Sequence, residues 1–184
     1  MKNQLLMNPI TLKDKSFEVF IPETEIAAIV HSMAYAINNT RMKNPLFIAV
    51  MNGAFLFAAD IMRKITIPNA EISFIKLSSY SGTETTGKVN QLIGISDDIS
   101  GRNIIILEDI VDTGITLEKI ISLLEKEEIN DIKVATLLFK PEAYKKDIEI
   151  DFIGKSIPND FVVGYGLDYD EIGRNLPHIY KLKE

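Results

Sequence analysis

The stretch Ile104 to Thr116, IIILEDIVDTGIT, decides how the rest of the chain is read. Its four apolar residues, with Asn103 before them, read as a short buried strand over Asn103 to Leu107, the kind found inside a parallel sheet. Two adjacent carboxylates, Glu108 and Asp109, close that run. A third, Asp112, lies in a turn containing Gly114. The turn leads into a helical pattern from about Thr116, with Leu117, Ile120, Ile121 and Leu124 on one face. In open parallel α/β sheets, ligands bind beyond the carboxyl ends of the strands. Backbone N–H groups of a Gly-containing loop entering a helix make a cradle for phosphate, and Thr113 and Thr116 add hydroxyl donors. Three carboxylates beside an anion site would repel the anion, unless they bind sugar hydroxyls or face a divalent cation. Taken alone, the segment suggests a site for a phosphorylated sugar with magnesium. For the Glu-Asp pair by itself, an ordinary acidic strand-to-helix loop capped by threonine is the commoner explanation.

On either side of this stretch, strands and helices alternate. Pro22 to Ala36 carries apolar residues at helical spacing (Ile26, Ile29, Val30, Met33, continuing to Ile37), with Pro22 in the first turn and Glu23 and Glu25 at the positive helix end. Leu46 to Met51 reads as a buried strand, and Ala54 to Met62, apolar almost all round, as a buried helix. Ile72 to Leu77 is a further strand. Ser78 to Asn90 is a long polar loop of the kind that serves as a lid. Val134 to Phe139 is the last strong strand. Alternation of this type gives an α/β fold: a central, mostly parallel sheet flanked by helices, joined by right-handed crossovers. After Pro141 the pattern changes to short strand-like pieces at Asp151 to Ile153 and Phe161 to Val163, separated by a Pro158-Asn159 turn. These pieces, with Phe17 to Phe20, suggest a small hood built from the two ends of the chain. The division expected is one domain over 1–184, with a core from about 22 to 140 and a hood from the N-terminal segment plus about 141–184.

Composition narrows the function. The 184 residues are 46% apolar with a net charge of -6. An acidic chain of this kind lacks the cationic face that sequence-independent nucleic-acid binding requires, so no nucleic-acid partner is expected. Without a cysteine, thiolate nucleophiles, disulfides and Cys-ligated zinc are excluded. Met1 to Lys15 holds no apolar run of signal-peptide length and no segment is long enough to span a bilayer, which leads to the expectation of a cytoplasmic protein without a membrane partner. There is no G-x-x-x-x-G-K-[ST], and Gly164-Tyr-Gly166 lacks the third glycine of a dinucleotide fingerprint. His31 and His178 stand in no metal-ligand spacing.

The complete pattern, four apolar residues followed by Glu-Asp, two apolar residues and Asp-Thr-Gly-x-Thr, resembles the phosphoribosylpyrophosphate-binding signature of the phosphoribosyltransferase family. Phe161 to Arg174, FVVGYGLDYDEIGR, is similar to the base-binding hood segment of the hypoxanthine-guanine members, and Lys140 falls where they place a lysine against the purine 6-oxygen. The resemblance covers about residues 17–180 and implies a type I phosphoribosyltransferase fold. It assigns ribose and magnesium to Glu108 and Asp109, and a second magnesium contact to Asp168. The 5-phosphate falls to Asp112, Thr113, Gly114, Ile115 and Thr116, with Asp112 as general acid/base at purine N7. The purine falls to Lys140, Phe161, Val162, Leu167 and Asp168, with Phe161 stacking. Pyrophosphate falls to Asn52, Gly53, Ser79, Tyr80 and Arg174. The resemblance further implies a cis peptide at Met51–Asn52, although many members carry Lys where this chain has Asn52. It also implies purine salvage: transfer of the phosphoribosyl group from phosphoribosylpyrophosphate to N9 of hypoxanthine or guanine, giving IMP or GMP and pyrophosphate. A homo-oligomer, dimer or tetramer, is expected on the same ground. A lysine cation favours a 6-oxo acceptor over the 6-amino donor of adenine; xanthine stays open, whereas the overall acidity argues against an RNA-binding regulator on the same fold.

Overall fold

In the computed structural model, which describes residues 8–77, 91–93 and 99–183, the strongest apolar runs become neighbouring strands of one sheet. The elements follow in the order β1 (Ile10–Leu12), β2 (Lys15–Ile21), α1 (Glu23–Asn38), β3 (Leu46–Val50), α2 (Phe55–Met62), β4 (Glu71–Leu77), β5 (Gln91–Ile93), β6 (Asn103–Val111), α3 (Ile115–Leu124), β7 (Asp131–Phe139), β8 (Phe152–Ser156), β9 (Val162–Val163) and β10 (Ile179–Leu182). The main sheet has the order β5-β4-β3-β6-β7-β8; β5 alone runs antiparallel to its neighbour. The Ser78 to Asn90 segment, with Ser79 and Tyr80, lies outside the described residues.

Side chains alternate across the sheet, as the two-residue period of a strand dictates. Phe47, Ala49, Ile105 and Leu107 enter a core shared with α1 and α2. Leu46, Ile48, Val50, Ile104 and Ile106 enter a second core covered by Leu117, Ile120 and Leu124 of α3. With helices on both faces, β3 is buried at every position, which is why it reads as a continuous apolar run. β6 occupies the middle of the sheet, between β3 and β7, and its C-terminal end is where the acids stand.

A second, antiparallel sheet of order β1-β2-β10-β9 forms the hood. It has a small core of its own around Phe17, Val163 and Tyr180. β10 joins β2 to β9, so Phe17 to Phe20 and Phe161 to Val163 lie in one sheet with β10 between them. His178, just before β10, accepts a hydrogen bond at Nδ1 from the Glu23 N–H (2.9 Å), so the hood also caps the start of α1.

Three expectations are corrected. Phe152 and Ile153 of the piece at Asp151 to Ile153 belong to β8, which pairs in parallel with β7 and extends the main sheet. The chain after Pro141 is therefore divided between sheet and hood. α2 is apolar almost all round, yet it buries only Phe57, Ala58 and Ile61, leaving Phe55 and Ala59 exposed, because it covers the sheet from one side. Finally, β6 does not stop at Leu107: it continues through both carboxylates to Val111, because β7 offers ladder partners as far as Phe139. Among the described residues no helix is long and apolar enough to cross a membrane.

β8 lies so close to its neighbours that a Cβ on Gly154 would sit 2.5 Å from the Leu137 carbonyl oxygen and 2.7 Å from Ile29 Cγ2. Gly154→Ala is expected to lower the urea midpoint, at unchanged denaturant slope, by an amount equivalent to about 1–3 kcal/mol. An unaltered midpoint would remove β8 from the main sheet.

Candidate active site

The phosphate-type loop is built by the turn from β6 into α3. Gly114 takes the left-handed conformation (φ 80°) as the N-terminal cap of α3, without a side-chain capping bond. The first intrahelical bond is donated by Glu118 N to Gly114 O, at 3.0 Å. The preceding N–H groups, at Ile115, Thr116 and Leu117, carry the positive end of the helix and have no carbonyl within the helix to meet. Thr113, Ile115 and Thr116 are exposed around them, and Asp112 is half-buried. This is the geometry of an anion cradle.

Lys140 and Asp112 meet because their strands are in register. Val111 pairs with Phe139, and the Lys140 N–H donates to the Val111 carbonyl at 3.0 Å. The next residue on each strand therefore projects into one space, where Lys140 Nζ lies 3.0 Å from Asp112 Oδ2. The lysine side chain is only 9% exposed, whereas the aspartate is 45% exposed. The cation is thus held in the wall while its partner remains open to a ligand.

Glu108 and Asp109 lie within the sheet, and burial dominates their chemistry. Burial, reinforced by the neighbouring Asp109 charge, pushes Glu108 well above the usual carboxylate range. Asp109 is raised to about 6, chiefly by burial; hydrogen bonds from the Ile110 and Asp109 amides and the Arg174 charge oppose the rise. The Asp109 carboxyl faces the β3–α2 turn, where a Cβ on Gly53 would collide with it. That turn contains the cis peptide Met51–Asn52, and Asn52 and Gly53 are both half-buried. On its other side Gly53 meets the hood: a Cβ on Gly166 would collide with the Gly53 carbonyl oxygen. Arg174 bridges these parts. It donates to the Gly166 carbonyl (2.8 Å), pairs with Asp168 (2.7 Å) and approaches Glu171 (3.3 Å). Asp168 also accepts from the Glu171 N–H at 2.8 Å.

The hood presents an aromatic platform. Phe161 is 45% exposed although its strand neighbours Val162 and Val163 are buried. Its ring is held by Phe17 (6.3 Å) and by Tyr169 edge-on (5.9 Å), while Lys15 Nζ lies 5.8 Å from its centroid. Tyr169 is in turn fixed through a hydrogen bond to Asp14 (2.8 Å).

Apart from Phe161 and Val162 on the hood platform, the polar residues singled out from the sequence gather mainly into two clusters. One joins Lys140 to Asp112 and the Thr113–Thr116 loop; the other joins Asp109, Gly53, Asp168 and Arg174. Leu167 joins neither: it is buried in the first core, and its backbone N–H and carbonyl are both bonded to Gly164. Gly166 was not singled out, although its place in the FVVGYGLDY segment was a usable signal. For a metal, no three Asp, Glu, His or Cys residues converge among the described residues, so Glu108, Asp109 and Asp168 form no single cage. The adjacent carboxylates of buried Glu108 and half-buried Asp109 still suit magnesium, which binds through one or two carboxylates together with waters and substrate phosphates.

Comparison with known proteins places the site in context. The family model for the phosphoribosyl transferase domain matches residues 22–170. A hypoxanthine-guanine phosphoribosyltransferase of Staphylococcus epidermidis is 41% identical over 167 residues, covering 90% of this chain and 93% of that protein. A Staphylococcus aureus hypoxanthine phosphoribosyltransferase superposes with a TM-score of 0.83 at 38% identity, covering 90% of this chain and 91% of that one. A Bacillus anthracis hypoxanthine-guanine phosphoribosyltransferase, solved with a HEPES molecule in its active site, also gives 0.83, at 39% identity over 90% and 98% of the two chains.

The raised Asp109 has a consequence for stability. An acid whose folded pKa exceeds its unfolded one stabilises the fold below the unfolded value, and that contribution is lost as pH rises through the folded value. For Asp109 the window runs from 3.8 to about 6. Across that window the chelator-treated protein is expected to lose up to about 3 kcal/mol from this group. Asp109→Asn should flatten much of that slope, leaving the part due to Glu108. Urea unfolding at stepped pH checks this, and an identical slope in the variant would refute it.

Proposed function

The chain belongs to the phosphoribosyltransferase family, and from that premise we propose that it transfers the 5-phosphoribosyl group of phosphoribosylpyrophosphate to N9 of hypoxanthine or guanine. The products are IMP or GMP and pyrophosphate, which makes this a purine-salvage pentosyltransferase. The observation that carries the reading is the Lys140–Asp112 pair at 3.0 Å, set beside the α3 anion cradle. O6 and N7 of a 6-oxopurine lie side by side on one edge of the base. Lys140 supplies a donor for O6, and Asp112 an acceptor for a proton on N7. Adenine places a 6-amino donor against the lysine donor, a mismatch that leaves buried groups unpaired.

In the reaction, the bond from the anomeric carbon to the pyrophosphate oxygen breaks as the bond from that carbon to N9 forms, through an oxocarbenium-like state. Asp112 takes the proton that the base sheds. Phe161 stacks on the purine, and the backbone at Val162 reads its edge. Backbone donors of Thr113 to Thr116 hold the 5-phosphate. Glu108 and Asp109 grip the ribose hydroxyls and, with Asp168 from the hood, are the residues that would hold magnesium. When bound, magnesium supplies Lewis-acid neutralisation of the leaving pyrophosphate. Backbone groups of Asn52 and Gly53, together with Arg174, face that leaving group. A cytoplasmic homo-oligomer, dimer or tetramer, follows from the same family reading.

Nucleotide formation tested with each base separately should show conversion of hypoxanthine and guanine, no conversion of adenine, and loss of both activities with a chelator. Failure of all four bases, xanthine included, would overturn the assignment. Asp112→Asn is expected to lower kcat by about 10²–10⁴-fold, with a smaller change in KM for phosphoribosylpyrophosphate. An unchanged kcat would remove Asp112 from proton transfer.

A further inference from the structure

The phosphate cradle is braced from behind by a segment that takes no part in the reaction described above. Immediately after Lys140 the chain turns: the Lys140 carbonyl accepts from the Ala143 N–H (3.2 Å) and the Tyr144 N–H (3.1 Å). The turn brings the Tyr144 ring under Gly114. A Cβ on Gly114 would sit 2.5 Å from Tyr144 Cε2 and 2.9 Å from Lys146 Cγ. The ring is fixed on two further sides, by an edge contact with Phe139 (5.2 Å) and by its hydroxyl donating to the Ile148 carbonyl (2.7 Å). Lys146 pairs with Glu118 in the first turn of α3 at 2.7 Å. Segment 141–148 thus holds the loop and the helix start together.

We propose that Tyr144 is a positioning residue for the 5-phosphate subsite, its ring setting the height of the Gly114 backbone and hence the aim of the N–H groups at the start of α3. The inference rests on the phosphoribosyltransferase reading of that loop. Gly114 is required twice over: the left-handed conformation suits it, and the ring leaves no room for a side chain. Because the loop binds through backbone donors, a small change in their aim weakens the grip on phosphate without touching the groups that handle the base.

The test is steady-state kinetics of Tyr144→Leu and Tyr144→Phe, varying each substrate in turn. Tyr144→Leu is expected to raise KM for phosphoribosylpyrophosphate by about tenfold, with KM for hypoxanthine and kcat within about twofold of wild type. Tyr144→Phe, which keeps the ring, should restore the wild-type value to within about twofold. Tyr144→Met, which retains apolar volume without the flat ring, serves where the leucine variant does not fold; it should show the same selective rise. An unchanged phosphoribosylpyrophosphate KM in the variants that fold, a parallel change in every constant, or a phenylalanine variant as impaired as the leucine one would overturn the proposal. A wild-type protein without phosphoribosylpyrophosphate-dependent activity would overturn both it and the reading beneath it. Activity in wild type with no selective effect at Tyr144 would remove Tyr144 alone.

Discussion

Asp109 stands near the end of the central strand, and Gly53 passes so close that a side chain on residue 53 would occupy the space of its carboxyl group. Gly166 of the hood then lies against Gly53, also too close for a Cβ. Three segments far apart in sequence are thereby stacked: the Asp109 carboxyl at the β6 strand end lies against the β3–α2 turn, whose backbone in turn lies against that of the hood loop. Arg174, which holds the Gly166 carbonyl and Asp168 together, lends its charge to Asp109 as well. The hood is therefore seated on the sheet at the point where the pyrophosphate contacts are proposed, and glycine is the residue that permits it.

That arrangement sets two carboxylates in a place where water cannot solvate both. A site optimised for stability alone would not bury Glu108 beside Asp109, since desolvation raises both and the Asp109 charge raises Glu108 further. Such desolvation is useful only if something positively charged or hydroxyl-rich arrives to satisfy them. This is the usual relation between a functional site and the rest of a fold: local rules are broken where a ligand completes them.

Much of this was legible in local sequence, because the decisive features are contiguous. Ile104 to Thr116 encodes a buried strand, its acids, a glycine turn and a helix start within one segment, and Phe161 to Arg174 does the same for the hood. What escaped depends on contacts between distant parts. β8 is an edge strand with a half-exposed pattern, preceded by twelve residues outside any helix or strand, so nothing in 152–156 distinguishes a sheet edge from a hood piece. β10 is short, and its position between β2 and β9 follows from pairing across some 160 residues of sequence. Tyr144 is an ordinary loop tyrosine until the turn after Lys140 brings it under Gly114. Leu167, singled out for its place within a site-like segment, also packs into the first core.

Register explains why the two clusters form at all. Along β6, Ile105 and Leu107 face the first core, but so does Ile110, while Val111 faces the second. The alternation slips by one residue at the acids. β7 slips at the matching place, with Leu137 and Leu138 both in the first core, and Thr136 Oγ1 donates to the Leu138 carbonyl at 2.7 Å across the irregularity. Since both strands slip together, the pairs Glu108–Thr136, Ile110–Leu138 and Val111–Phe139 stay aligned. Had only one slipped, Lys140 would stand opposite a different residue and its ammonium would be buried without Asp112, a costly arrangement for a side chain so little exposed. The shared slip thus lets one strand turn its carboxylates out of the regular pleat while the base-reading lysine keeps its partner.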